Sequence, residues 1–533
     1  MKKVLSIFMA IAMFVTMFSF STVVFAEEIT EPEAKPVLNK YLGTEKNYGL
    51  KFDRTLKEVV VDETHGNLSK PWHFDVLKPE TEVKVGTVNT TVGTAIIDKI
   101  NEYAASGEYS AVNLNIKADT TALPFEGLKG TAETPIVIVT ESASVGNKKI
   151  EGTNEAPAIS VVDCEYVTVK NITVTSLSNG IVVEGCKNVT VENVTFSEVG
   201  FTDYIKPVPV LGEDGKPTYN EDGSAIETFL EMDTTALSAK GSAVYVGTGC
   251  DGVTVSGCSF TKCRAGVVAD SSALEEGEVA STGVEVIDCT FSEISDVAVV
   301  VNAADDVVVS GGTVAKSGTL AEAVNYDGTI AAAFMVVDAA NVTIEKVWST
   351  DNHALIYAEN ATGRVRYNVS VRDGYSKVDA AELLIYNNTF VDATSLDLTA
   401  KASNNIFWML MGEKVAVSEG DNNCYYWTSK GDRGSIRKNP RFAYAFDGTV
   451  EGTSIRDNYI IASSSPCLGK GVKAEDDMGA TDFYGNAATD SINIGADAFG
   501  AGAESEIEFA SDFVDFFNYI FAVIKNFFEN LFA

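Results

Sequence analysis

Positive charge is what this sequence has least of. Its 533 residues include 40 Lys or Arg against 75 Asp or Glu, a formal net charge of −35. A field of that sign repels polyphosphate, which excludes nucleic acid as a partner, and it repels anionic membrane surfaces as well. Proline is sparse at 12 while Phe and Tyr reach 28 and 19, so this is not a disordered coat protein. Histidine is confined to His65, His73 and His353. After the first 26 residues no apolar run is long and unbroken enough to span a bilayer.

That first stretch reads as an export signal. Lys2 and Lys3 precede an apolar run from Val4 to Phe20, and Val24-Phe25-Ala26 supplies a small-residue cleavage site. No cysteine lies near it, so a lipid anchor has no attachment point. The mature chain is expected to begin near Glu27, to carry a net charge of −37, and to be secreted, either free or held at the cell surface.

What the sequence does have is a repeat. Val167-Thr-Val-Lys-Asn-Ile-Thr-Val174 recurs as Val189-Thr-Val-Glu-Asn-Val-Thr-Phe196 and Val253-Thr-Val-Ser-Gly-Cys-Ser-Phe260. Weaker copies follow at Val284–Phe291, Val307–Val314, Val342–Trp348, Val365–Val371 and Leu383–Phe390; the clearest adjacent starts (Val167 to Val189, Val284 to Val307, Val342 to Val365) stand 22 or 23 residues apart, and longer gaps carry inserted loops. Alternating β-branched residues send one row inward and one outward, as a strand requires. The Asn or Gly that interrupts them suits a bend through left-handed backbone. A unit this short buries no face of its own, so copies must stack about 4.8 Å apart. The fold class expected is all-β, a right-handed parallel β-helix, clearest from 156 to 407.

Eight cysteines in an exported chain invite disulfides. Their slots point elsewhere. Cys164, Cys186 and Cys250 each precede a repeat by three residues, and Cys258 and Cys289 share its sixth position. Equivalent slots stack, so buried thiols in internal ladders are expected. By the same logic Asn171 and Asn193, within Asn-x-Thr sequons, read first as turn residues.

The expected domains are a signal peptide at 1–26, an extension or small β appendage at 27–92, the β-helix at 93–499, a linker at 500–510 and an amphipathic helix at 511–533. Thr94 to Ser106 reads as a capping helix with Ile96, Ile97, Ile100 and Ala104 on one face. The turn-rich insert 201–240 should project as a loop or hairpin. In the last segment Asp512, Asp515, Asn518, Lys525, Asn526, Glu529 and Asn530 mark a polar side, and Phe, Ile, Val and Leu fill the other. It packs on its own domain, associates with another copy, or docks on a surface.

Several segments resemble the pectate-lyase-like superfamily of right-handed β-helix proteins. Gly130–Ile136 looks like its strand entry. Val365–Ser370 with Arg372-Asp-Gly374, Ile385–Phe390 and Asn404–Phe407 look like its later rungs. Asn422–Tyr426, Asn439–Phe442, Ser465–Gly469 and Asn493–Ala496 resemble its closing segment. The resemblance covers roughly 95 to 499 and implies the fold, with polysaccharide lyases and glycoside hydrolases as the common activities. No Gly-His-Gly or Trp-x-Asp-His segment is present, so no single enzyme family is indicated. Asp305-Asp306 sits where strands begin and reads as a turn.

Charge placement then nominates residues. Seven of nine arginines lie between Arg364 and Arg456. Segment 361–378 has a net charge of +3 and segment 429–441 of +4. Lining one groove, they would clamp sugar carboxylates or sulfates. β-Elimination of a uronate needs a cation to neutralise the carboxylate and a base to take the adjacent proton. Arg372 and Lys377 are candidate bases with His353 as another; Arg364, Arg366, Arg433 and Arg437 are candidate clamps. Trp408, Trp427, Tyr425 and Tyr426 are candidates for stacking on sugar rings. The expected partner is a polysaccharide, and a polyuronate would bring Ca2+ as the cation offsetting the chain's acidity. Hydrolysis would need paired carboxylates, and sequence alone nominates none. Non-catalytic glycan binding and surface adhesion are the other readings.

Overall fold

The computed structural model describes residues 35–42, 50–53, 58–61, 82–85, 88–116, 119, 122–140, 144–146, 157–176, 178–200, 208–209, 227–228, 241–318, 331–409, 414–428, 434–442, 459–473, 478–488 and 493–498. The signal peptide, the linker and the C-terminal amphipathic segment lie outside them.

The repeats stack as a parallel β-helix with three faces. On the first face Ile159–Val162 pairs with Ile181–Glu184, and the row continues through Ser242–Val246, Ala265–Asp270, Val299–Asn302, Phe334–Val337, Ile356–Glu359 and Tyr375–Tyr386, every pair parallel. The repeat phrase forms the second and third faces, split at the Asn or Gly bend. Val167 pairs with Val189, as the 22-residue spacing requires. The phrase start at Val365 differs from the sequence reading: Gly363 pairs with both Val342 and Leu383, so that rung's strand begins two residues earlier and Val365 pairs with Ile344 and Ile385.

Inward residues build a continuous core. Phe196, Phe260 and Phe291 stack with ring centroids 4.8 and 4.5 Å apart, and Phe390, Phe407 and Tyr425 stack at 5.3 and 5.1 Å. These spacings match the inter-strand distance, so one ring per rung is what the lattice accepts.

The corners carry ladders of their own. Three residues before each repeat, the slot runs Cys164, Cys186, Cys250, Ser281. The Leu128 amide donates to Cys164 Sγ (3.3 Å), the Cys164 amide to Cys186 Sγ (3.3 Å) and the Cys250 amide to Ser281 Oγ (3.0 Å). Thiol and hydroxyl thus do one job, accepting the N–H of the preceding rung. All eight cysteines are buried and free. At the next corner Asn368, Asn388, Asn405 and Asn423 do the same, each side-chain amide donating to the following Oδ1 at 3.0 to 3.1 Å. Asn171 and Asn193 hold left-handed backbone at φ 55° and 51°, as the turn reading expected. Asp306 is likewise at φ 54°, its carboxylate taking bonds from Asn341 and Thr282.

The outer side of the third face changes character along the axis. Thr173, Thr195, Ser259, Thr290 and Thr313 meet solvent; the equivalent positions further on are Trp348, Val369, Thr389, Ile406 and Cys424, all buried. The closing segment folds back over them and lays Phe442, Tyr459, Ile461, Cys467, Ile494 and Ala496 against them.

At the other end, helix Val92–Ala105 buries Ile100 and Ala104 in the main core. Its Asn101 accepts from the Lys129 amide and donates to the Gly127 carbonyl. Within the N-terminal extension, Val37–Leu42 adds a parallel strand beside Ala111–Ile116. The insert places Val208–Pro209 antiparallel to Glu227–Thr228. Among the described residues no helix is long and apolar enough to cross a membrane.

Candidate functional site

A solenoid turn of about twenty residues passes three faces, so basic residues five to eight apart in sequence point in different directions. Segment 361–378 shows this. Arg364 and Arg366 stand on the outer side of the second face, Arg372 at the corner between third and first, and Lys377 on the first. The single groove expected from it does not assemble.

Arg366 is buried. Its Nε donates to Glu345 Oε2 (2.7 Å) and its Nη1 to the Tyr386 hydroxyl (3.0 Å). Burial alone would lower its pKa, but Tyr386 and Glu345 outweigh that and raise it, so the guanidinium is a fixed internal charge. Gly479 of the closing segment passes directly over it; a Cβ there would stand 2.9 Å from Arg366 Cζ. Arg366 is therefore withdrawn as a substrate clamp. Arg364 is half-buried and engaged with other groups.

Arg372 belongs to a corner ladder that the sequence did not reveal. Glu198, Lys262, Glu293, Lys316, Asp351, Arg372 and Asp392 occupy one slot on successive rungs, all at φ between 52° and 56°. Each amide donates to the carbonyl just before the next member, which establishes their equivalence. Their charges alternate in sign at every step. Lys262 Nζ lies 4.0 Å from Glu293, and Arg372 grips Asp351 through Nε (2.7 Å) and Nη2 (2.8 Å). Burial opposes the charge on Arg372 and the Asp351 bond more than restores it, so its pKa rises. A guanidinium held this way is no base. That assignment is corrected to an ion-pair role.

Two other candidates meet on one surface. His353, half-buried, has its ring 5.8 Å from that of Tyr375 on the neighbouring rung. Tyr375 and Lys377 alternate with buried Ser376 and share the outward side of their strand. Lys377 Nζ sits 6.0 Å from the Tyr357 ring, and the Tyr357 hydroxyl donates to Glu359 (2.9 Å). Tyr375 is 60% exposed, the one aromatic among the exposed large apolar side chains of the described residues. Asp397 lies beside Lys377 in register.

The aromatic candidates divide. Tyr425 is inside the core stack and Trp408 is covered by Phe442 with ring centroids 5.5 Å apart, so neither faces a sugar. Burial follows from strand phase for the first and from the closing segment for the second. Trp427 is half-buried and stacks on Tyr426 at 4.4 Å. Arg437 is exposed in the closing segment, and Arg433 lies outside the described residues.

A further group sits higher on the first face. Val183 pairs with Val246 and Val246 with Ala269, which places Glu184, Gly247 and Asp270 next along the same row. Glu184 and Asp270 are thus two rungs apart, about 10 Å, across a glycine. Gly247 has no unusual backbone to explain it; a Cβ would meet Glu184 Cγ at 2.8 Å and the Tyr245 ring at 3.2 Å. Burial, then Asp270 and Glu184, push the Tyr245 hydroxyl pKa up to about 12. Asp270 accepts from the Ser272 amide and from Asn302. An aromatic residue at an outward strand position was the sequence signal for Tyr245, Tyr357 and Tyr375, usable once the phase of alternation is known.

No protein-family model matches the chain, and no curated protein does. Solved structures similar to it include an alginate lyase from Paenibacillus sp. str. FPU-7, at 10% identity, covering 64% of this chain and 97% of that one, with a TM-score of 0.37. A lacto-N-biosidase from Eubacterium ramulus is 12% identical over 63% of this chain and 62% of its own, TM-score 0.32. PfbA, a surface adhesin of Streptococcus pneumoniae, is 13% identical over 63% and 85%, TM-score 0.38. Overlap at these scores is too loose to argue from, and the parallel β-helix rests on the strand register described above.

Proposed function

We propose that the chain is an extracellular carbohydrate-active β-helix protein that holds an acidic glycan on the outer side of its first face and, in the sharpest form of this reading, cleaves it by β-elimination. The observation that carries it is the grouping of His353, Tyr375, Lys377 and Tyr357 on adjacent rungs. An exposed tyrosine offers a flat face to a pyranose ring, and Lys377 offers the charge to meet a carboxylate. In elimination, Lys377 neutralises the uronate carboxylate and so acidifies the neighbouring C–H. His353 takes that proton, the electron pair forms a carbon–carbon double bond, and the glycosidic oxygen leaves with a proton from Tyr375. Glu359, Asp379 and Asp397 share this face, so a polyuronate would need a calcium ion of its own to approach them. Among the described residues no three His, Cys, Asp or Glu side chains are grouped to hold a metal.

Hydrolysis is the second reading, favoured by Glu184 and Asp270 across Gly247. Their two-rung spacing of about 10 Å is close to the separation of about 6.5–9.5 Å at which one carboxyl protonates the leaving oxygen and the other activates water. For segment 511–533 the readings are packing on its own domain, self-association or surface docking, and deleting it with the oligomeric state as readout separates the second from the others.

Incubating the purified chain with a panel of polysaccharides, with and without calcium, separates these readings. Elimination yields unsaturated, ultraviolet-absorbing ends that Lys377→Ala abolishes. Hydrolysis yields reducing ends without that absorbance, lost in Asp270→Asn. Binding alone retards the chain in glycan gels and releases nothing. A chain that neither retains nor cleaves any of them refutes the proposal.

A further inference from the structure

Beneath the His353–Tyr375 surface the core departs from its own rule. The inward row that supplies Phe291 and Phe390 reads Val314, Ser349 and Ser370 between them. Phe334 is buried in the core, but the rungs of Ser349 and Ser370 also hold buried polar side chains: Ser349, Asn352, Ser370, Asp373 and Ser376.

Asp373 is its centre and is fully buried. Oδ1 accepts from the Asn352 amide (3.0 Å) and from Asn352 Nδ2 (2.8 Å), and Oδ2 from Ser370 Oγ (2.6 Å). Asn352 Nδ2 also reaches Ser349 Oγ and the Val314 carbonyl. Among the described residues no ion pair to the carboxylate is found. Arg372 is turned outward onto Asp351, His353 lies against Tyr375, and Asp392 on the next rung belongs to the outer ladder.

Two links carry this cluster to the surface. Asn352 directly precedes His353, and Asp373 is separated from Tyr375 by Gly374 alone. The Gly374 amide donates to the Asn352 carbonyl (2.9 Å) and the Tyr375 amide to the His353 carbonyl (2.7 Å). A Cβ at Gly374 would come within 2.2 Å of that carbonyl, so the two rungs are closed as tightly as backbone permits.

We propose that Asp373 is a positioning residue that couples proton concentration to the spacing of His353 and Tyr375, holding the two rungs together when protonated and loosening them when ionised. The inference rests on the glycan-site reading for its consequence and on the buried cluster for its mechanism. Burial, only partly offset by Ser370, Ser349 and Asn352, pushes the Asp373 carboxyl pKa from an ordinary 3.8 up to about 6. A raised carboxyl pKa means that the folded chain binds the proton more tightly than the unfolded one. The stabilisation is therefore fully present below about pH 4 and is lost as pH rises through about 6.

Hydrogen exchange of the 370–380 backbone in the full chain, corrected for intrinsic rate, tests the mechanism without any glycan. Protection at Gly374 and Tyr375 should fall by up to about 100-fold between pH 4 and pH 8, the factor that two pKa units allow. In Asp373→Asn, which keeps the Oδ1 acceptor and cannot ionise, it should change less than about 3-fold. Ser370→Ala removes a bond to the ionised form and should move the midpoint to higher pH. Equal pH dependence in wild type and Asp373→Asn, or an unmoved midpoint in Ser370→Ala, overturns the inference. Glycan retention at pH 5 and pH 7.5 is the separate arm. A pH-dependent corner with no retained glycan leaves Asp373 as proposed and removes the site reading; retention with a pH-independent corner does the reverse.

Discussion

The corner ladder makes the strongest demand on Arg372. Its side chain is 31% exposed and that of Asp351 is 38% exposed. Surface ion pairs contribute roughly 0.2–1 kcal/mol, and a two-bond guanidinium grip belongs at the top of that range, about 1 kcal/mol. The measurement is a double-mutant cycle with Arg372→Gln and Asp351→Asn, read by denaturant midpoint at constant slope. Asp351→Asn keeps the shape of the carboxylate and tolerates the left-handed backbone that position 351 requires, while Arg372→Gln keeps a polar stem without the charge, so strain largely cancels around the cycle. The coupling energy should be about 1 kcal/mol at low salt and mostly gone at 1 M, where screening acts within roughly 3 Å. Exchanging the two residues provides a sharper version. The swap restores the pair, yet it sets Lys316 beside Arg at 351 and Asp at 372 beside Asp392, two like-sign contacts where there were none. It should recover less than half of the loss. A coupling below about 0.2 kcal/mol refutes the ladder. So does an Arg372→Gln chain of unchanged stability that loses all action on a glycan, which would return Arg372 to chemistry.

Phe260 lies between two rings and is fully buried; Phe260→Ala should cost about 3–5 kcal/mol. The neighbouring outward Thr261→Ala should stay within about 0.5 kcal/mol by the same denaturation assay. Native protein should resist thiol reagents, since burial pushes Cys250 and Cys263 up to about 11, whereas protein denatured without reductant should take up label at all eight cysteines. Removing residues 511–533 should change the sedimentation behaviour of the chain while leaving the denaturation midpoint of the solenoid within about 0.5 kcal/mol.

The repeat was readable because a strand reports itself locally. Val-x-Val alternation needs only a neighbour two residues away, and the bend at Asn171 or Gly257 needs only its own backbone. The cysteine slots were readable for the same reason, being a fixed step from that phrase. What sequence could not supply was contact made at long range. Arg366 resembles a surface cation until Gly479, 113 residues later, lies across it. Trp408 occupies an outward slot and becomes interior only beneath Phe442. Tyr425 was misassigned by strand phase alone, since its neighbours Cys424 and Tyr426 point outward and it points in. Asp373 gave no signal at all; its partners Ser349 and Asn352 sit a whole rung earlier.

The change along the third face, from threonine to tryptophan and valine, also sets an order of events. A chain that emerges N-terminus first can complete its early rungs at once, because water satisfies Thr173, Thr195 and Thr290 as well as any later neighbour would. The rungs from Trp348 to Tyr426 have no such freedom, since their cover ends only at Ile494 and Ala496, made well after the last of those rungs. Between those moments an apolar strip several strands long waits in the open, where another copy's strip is as good a cover as the proper one. The most aggregation-prone interval of this protein therefore falls between the appearance of Tyr426 and that of Ala496, and a chain stopped short of Ile494 should be sticky rather than merely shortened.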